Sequence, residues 1–289
     1  MSEHSPVFKS AKAEARMLAV YDAAMKLWPV ACQKRDIPTR YGRTHVIISG
    51  PEEAPPIVLL HCALMTSAIW SPIIGPLSTN HRTYAVDVIG DVGRTVPSHP
   101  PQTEQDLAHW LVEVYEGLGL DKASLLAWSF GGFVGTNFAL HEPDRVSKLG
   151  LLAPFATFVK GGAGFLLGFL PFLIPTRPTV RIFERALCHK PSFGIREHSE
   201  ILHERFRSAK LAIKVPPRVF TDEELSQLKM PTLLLIGRQE FLYNAKAAVD
   251  RAKRILPNAE VELIAECNHA IVSDQTELVT ERLLEFLDT

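Results

Sequence analysis

The chain has 289 residues, 46% hydrophobic and 22% charged, with 31 Lys and Arg against 32 Asp and Glu for a net charge of -1. That is an ordinary globular composition, long enough to bury one large core, and the even charge gives no electrostatic footprint for nucleic acid or an anionic membrane. The four cysteines, Cys32, Cys62, Cys188 and Cys267, stand far apart, which argues against a disulfide framework or a zinc site.

Residues 1–28 mix charged and apolar side chains throughout and lack the basic-then-apolar order of a secretory signal, so a cytoplasmic location is the default. Met17, Val20, Ala24 and Leu27 fall near helical spacing and predict a helix over 11–27, ended by Pro29. Two antiparallel strands are expected over 31–39 and 44–49, joined by a turn at Tyr41-Gly42.

From Pro56 the rhythm changes to short apolar runs at 57–60, 83–87, 124–127, 148–152, 232–236 and 261–264, as in strands buried on both faces of a parallel sheet. Amphipathic stretches at 103–118, 244–256 and 275–287 separate several of them; the first opens on the N-cap Thr103 and stops before Gly119. Alternation of strand and helix predicts an α/β fold with right-handed crossovers. It lapses after Ala153-Pro154 and resumes near Met230. The expected organisation is therefore an N-terminal helical extension (1–29), a core in two parts (30–154 and 230–289) and an inserted helical cap (155–229). Within the cap, 161–175 is apolar throughout but too short for a membrane helix, which needs about 20 residues, and Pro171 interrupts it. It reads as a lid over an apolar pocket, with no membrane span.

Ala127-Trp128-Ser129-Phe130-Gly131-Gly132 lies where an apolar run gives way to a helix. A serine on a strained strand-to-helix turn needs small residues two before and two after it, because the backbones there nearly touch; Ala127 and Gly131 meet that demand. Through this elbow and the motifs around it, the chain from about Pro56 onward, cap excluded, resembles the α/β-hydrolase superfamily, and within it a serine carboxylesterase with a helical cap. His61-Cys62-Ala63-Leu64, with Trp70 downstream, matches the family's His-Gly-x turn. Asp87-Val88-Ile89-Gly90-Asp91-Val92-Gly93 looks like its Asp-x-x-Gly-x-Gly loop with one extra residue. Gly237-Arg238-Gln239-Glu240 resembles its Gly-x-x-Asp loop, and Cys267-Asn268-His269 stands where the family keeps its histidine.

The resemblance implies Ser129 as nucleophile, His269 as general base and Glu240 as the acid that orients the base, in the chain order Ser, acid, His. The backbone N–H groups of Ala63 and Phe130 would hold the oxyanion. Most of the 11 histidines must do something else: His61 would brace its loop, and His109, His189, His198 and His203 would be solvated or structural. Asp87 could compete for the acid role, although the resemblance makes it a bracing residue. Cys62 replaces the usual glycine and must either reshape the oxyanion loop or project a thiol near the site. Cys62, Leu64, Trp128, Phe155, Phe165, Phe169 and Phe172 are the expected substrate-binding residues, and Leu166, Leu170 and Leu173 join them as candidate pocket or entrance wall.

The implied reaction is hydrolysis of a small, lipophilic carboxylic ester through an acyl-enzyme, with no cofactor and no metal, by a monomer or homodimer. Thioesterase, lactonase, C–C hydrolase and perhydrolase chemistry use the same triad. A non-hydrolytic ligand-binding protein on the same scaffold, and an interaction protein using the apolar 161–174 surface, are the readings of another class.

Overall fold

The computed structural model describes residues 5–168, 170–190, 193–210, 212–256 and 258–289. Among the described residues nine strands form one sheet: β1 (Cys32–Thr39), β2 (Gly42–Ser49), β3 (Pro56–Leu60), β4 (Arg82–Val86), β5 (Val96–Pro97), β6 (Ala123–Trp128), β7 (Val146–Leu152), β8 (Thr232–Gly237) and β9 (Ala259–Ile264). Their order is β1-β2-β4-β3-β6-β7-β8-β9, with β5 pairing β2. β1, β4 and β5 run antiparallel to β2, and every pairing from β4 through to β9 is parallel. This is the mostly parallel α/β architecture that the alternation of apolar runs predicted, in the form that the resemblance to α/β-hydrolases implied.

Burial explains the composition of the strands. β3, β6, β7 and β8 lie in the middle of the sheet with both faces covered, and Ile57 to Leu60 and Leu233 to Ile236 are wholly inaccessible. β1 at the edge is mostly exposed and carries Lys34, Arg35 and Asp36, charges that discourage pairing with another chain. The β1–β2 turn is made by Arg40-Tyr41, one residue earlier than Tyr41-Gly42, because Gly42 already pairs with Thr39 in the ladder.

The helix Glu104–Leu118 is capped as its sequence suggests. Thr103 Oγ1 accepts from the Asp106 N–H, the Asp106 carboxylate accepts from the Thr103 N–H, and Gly119 closes the far end in the left-handed conformation. Between β7 and β8 the described residues form the helices Ala163–Leu167, Leu170–Leu173, Arg177–Leu187, Arg196–Ser208 and Asp222–Leu225. The N-terminal helix Ala11–Met25 packs against Arg196–Ser208, where Arg16 pairs with Glu204 and Lys9 Nζ donates to the Phe206 and Arg207 carbonyls. Among the described residues no helix is long and apolar enough to cross a membrane.

Candidate active site

In a parallel sheet the loops leaving the carboxyl ends of the strands converge on one edge. Six such loops meet here, those after β3, β4, β6, β7, β8 and β9. Ser129 follows β6 directly and heads the helix Phe130–His141, with φ 56° and ψ -113°, a conformation that costs a non-glycine residue on the order of 1–3 kcal/mol. The surroundings hold it there. Its N–H donates to the Leu152 carbonyl at the end of β7 (2.9 Å), and its own carbonyl accepts from the Phe155 N–H (3.1 Å). Gly131 lets the helix start directly beneath β3, since a Cβ at that position would lie 2.3 Å from the Leu60 carbonyl oxygen.

Gly237 does the same for the loops after β8 and β9. A Cβ there would meet the carbonyl oxygens of Asn268 and Cys267 at 2.4 and 2.5 Å, so only glycine lets the two loops close on each other. Gln239 N–H then donates to the Cys267 carbonyl (2.9 Å), which fixes the loop carrying Glu240 against the loop carrying His269. Asn268 ties the same loops together: its Oδ1 accepts from the Phe241 and His269 N–H groups, and its Nδ2 donates to the Ala186 carbonyl.

The result is a hydrogen-bonded chain of three side chains. Ser129 Oγ is 2.7 Å from His269 Nε2, and His269 Nδ1 is 2.8 Å from Glu240 Oε2. An ionised carboxylate can only accept, so the imidazole proton sits on Nδ1 and Nε2 is left to accept the serine hydroxyl. The second oxygen, Oε1, accepts from the Leu242 N–H (2.8 Å), and the Glu240 side chain is fully buried. Tyr243 packs edge-on against the imidazole, its phenol pushed well above the usual range by burial and by the neighbouring Glu240.

Asp87 faces elsewhere. Its carboxylate accepts from the Ser67 and Arg94 N–H groups (3.0 and 2.8 Å) and the Tyr21 hydroxyl (3.4 Å), the bracing arrangement expected of it. His61 braces likewise: Nδ1–H donates to the Cys62 carbonyl and Nε2 accepts from the Val88 N–H. His198 is fully buried, with Nε2 donating to the Ala68 carbonyl, and burial drives its pKa down to about 4.

A cavity of about 280 Å³ opens over Ser129. Cys62, Leu64, Trp128, Phe155, Phe165 and Phe172 line it, as do Ala63, Phe130 and His269. Among the described residues neither the Ala63 nor the Phe130 N–H donates a hydrogen bond within the chain. One expectation needs correction: Leu166 and Leu173 are 68% and 79% exposed and, like Leu170, lie outside the cavity wall. Phe169 falls outside the described residues. The left-handed residue of this loop is Leu64 (φ 70°), and Cys62 meets the second of its two expected outcomes. Its thiol lines the cavity and is pushed far up, mainly by burial. Also unanticipated are the walls from Phe183, Leu187 and Leu202, although Val180, Phe183 and Leu187 formed a legible apolar stripe on a charged helix.

A family model described as the alpha/beta hydrolase family matches residues 57–282. The chain belongs to that family. It is 36% identical over 278 residues to a carboxylesterase, nap, of Bacillus subtilis, covering 94% of this chain and 92% of that protein. It is 32% identical to the carboxylesterase YbfK of the same organism, covering 99% and 98%. The crystal structure of naproxen esterase from Bacillus subtilis superposes with a TM-score of 0.92 at 34% identity, covering 96% of this chain and 99% of that one. This alpha/beta hydrolase thus keeps the fold of those esterases over nearly its whole length.

Proposed function

We propose that the chain is a serine hydrolase that cleaves small lipophilic carboxylic esters through an acyl-enzyme, with Ser129 as nucleophile, His269 as general base and Glu240 orienting the base. The observation that carries the reading is the 2.7 Å and 2.8 Å chain from Ser129 through His269 to Glu240, set on a strained elbow beneath an apolar cavity. As Ser129 Oγ attacks the acyl carbon, its proton passes to His269 Nε2 and the carbonyl electrons move onto oxygen. Glu240 stabilises the imidazolium that results. The N–H groups of Phe130 and Ala63 are the donors for the oxyanion. Collapse of that intermediate breaks the ester C–O bond, and the proton on Nε2 leaves with the alcohol. Water, deprotonated by the same nitrogen, then releases the acid and restores the serine.

The cavity lining supports the choice of substrate. Among the described residues the polar side chains lining it, besides Ser129 and His269, reduce to the protonated thiol of Cys62, and no charged side chain of theirs lines it. A charged acyl or alcohol group would lose its hydration there without gaining a partner. The carboxylesterase relatives agree with ester cleavage, and naproxen esters are natural first substrates to assay. We further assign 155–229 the role of a cap, because Phe155, Phe165, Phe172, Phe183, Leu187 and Leu202 supply one side of the cavity wall.

The test is labelling by a fluorophosphonate together with turnover on a panel of p-nitrophenyl esters of increasing chain length. Wild type is expected to label once, and Ser129→Ala neither to label nor to turn over. Near-wild-type turnover by Ser129→Ala would sink the assignment.

A further inference from the structure

A buried ion pair lies just outside the site. Asp91, in the loop after β4, and Arg205, on the helix Arg196–Ser208, are 1% and 0% exposed, with Arg205 Nε 3.4 Å from Asp91 Oδ1. Among the described residues Arg205 pairs with no other acid, and its guanidinium lies 5.7 Å from the centre of the Phe172 ring, whose residue lines the cavity. The pairing is therefore between the cap segment and the core, directly behind the pocket wall.

What the pair does is set by the other contacts of Asp91. Its Oδ2 accepts from the Leu64 N–H at 2.7 Å, and its Oδ1 from the Val92 N–H at 2.8 Å. Leu64 has a left-handed backbone, φ 70°, which an L-residue with a branched side chain adopts only when something holds it. The bond to Asp91 is the hold. Ala63, whose N–H was proposed above as an oxyanion donor, is the residue immediately before, so the peptide joining Ala63 to Leu64 is fixed at one end by a buried carboxylate. A buried carboxylate left without a facing cation is strongly disfavoured. Arg205 is that cation, and it belongs to the cap segment.

We propose that Asp91 and Arg205 are positioning residues: their ion pair fixes the Leu64 backbone, and through it the Ala63 N–H, and thereby makes the oxyanion site complete only when the helix Arg196–Ser208 is seated. The inference rests on the Ser129 reading above. Neither side chain touches the reacting atoms. Both act on where a donor points, so their loss falls on the transition state and spares ground-state binding.

The experiment measures kcat and KM on a short p-nitrophenyl ester, and the inhibition constant of phenylboronic acid as a tetrahedral mimic, for Asp91→Ala, Arg205→Met, Arg205→Lys and the double variant Asp91→Ala/Arg205→Met, each with a thermal melt. The double variant leaves no lone charge buried, so it keeps the test open if a single variant fails to fold. Expected for it is a fall in kcat of about 10²-fold, the loss of one oxyanion donor, with KM within threefold of wild type and phenylboronic acid weakened in step with kcat. Arg205→Lys should recover part of the kcat lost in Arg205→Met. A folded double variant with kcat within threefold of wild type, or a loss lying wholly in KM, overturns the proposal, since a pair that only stabilised the fold would lower the melting temperature alone. Failure of the underlying reading looks different: Ser129→Ala would then retain turnover.

Discussion

Glu240→Gln changes one atom type in a side chain whose two oxygens are both committed. Oε1 accepts from the Leu242 N–H and Oε2 from His269 Nδ1, at 2.8 Å each. A glutamine offers one acceptor and one donor, so it must disappoint one partner. If its oxygen faces His269, its amide N–H₂ confronts the buried Leu242 N–H, donor against donor, at a cost of about 1–3 kcal/mol for the stranded group. If its oxygen faces Leu242, the amide donates to Nδ1 and drives the imidazole proton onto Nε2. That second arrangement satisfies every local donor and is the one expected. It also disables the base, because Nε2 then points a proton at Ser129 Oγ and has no lone pair to receive one. The corresponding carboxylate-to-amide change in a serine-protease triad costs about 10⁴ in kcat, and a loss of about 10³ or more is expected here, or at least 4 kcal/mol. The assay is steady-state turnover of a short p-nitrophenyl ester, with a melt showing the variant folded. A folded Glu240→Gln within tenfold of wild type would refute the tautomer argument, and equal damage from Asp87→Asn would move the acid role to Asp87.

Cys62→Gly should keep kcat within about tenfold and admit bulkier acyl groups, because Cys62 lacks a left-handed backbone and its strongly raised thiol is no nucleophile; an acylation rate lowered by more than about 10² would implicate the cysteine. Phe172→Ala should shift chain-length preference upward, since Phe172 lines the cavity and packs edge-on against Phe206 at 4.7 Å, whereas Leu173→Ala should leave preference and stability unchanged. Comparing two inactive variants, Ser129→Gly should melt higher than Ser129→Ala, by about 1 kcal/mol, because φ 56° suits glycine; equal stability would deny the strain. His198 binds a proton below about pH 6.5 when unfolded but only near pH 4 when folded. Stability is therefore lost as pH falls from 6.5 to 4, by at most about 3 kcal/mol, and flat melting curves for wild type relative to His198→Gln across that window would contradict the assignment.

Much of this was legible because the signals were local. The runs that became β3, β6, β7 and β8 are apolar on both faces, and Ala127, Gly131 and Gly237 mark backbone contacts that no larger residue permits. Other features had no local signal. β5 is two residues long, one of them Pro97, and exists only because β2 lies alongside. Which side of 161–175 faces the cavity depends on two short helices broken near Gly168, so Phe165, itself 37% exposed, and Phe172 reach the cavity wall while Leu166 and Leu173 do not, an order that strict apolarity along the stretch conceals. The Asp91–Arg205 pairing joins residues from the core and the segment between β7 and β8, and nothing in either stretch alone names the other.

The buried acids explain why burial by itself does not pick out the acid proposed for the triad. Asp87, Asp91, Asp274 and Glu240 all sit in loops at the carboxyl ends of strands or just beyond, and all are buried. Three of them are answered chiefly by backbone N–H groups: Ser67 and Arg94 on Asp87, Leu64 and Val92 on Asp91, and His189, Lys190 and Asn268 on Asp274. An amide proton does not leave under these conditions, so such bonds can only fix geometry. Asp87 ties the loop after β4 to the turn before the helix Ser71–Asn80, and Asp274 ties the histidine loop to the end of the helix Arg177–Leu187. Glu240 alone among the four faces an imidazole, a group that gains and loses protons near neutral pH. Chemistry is possible where the partner's proton can move, and the other three acids hold still the loops between which it does.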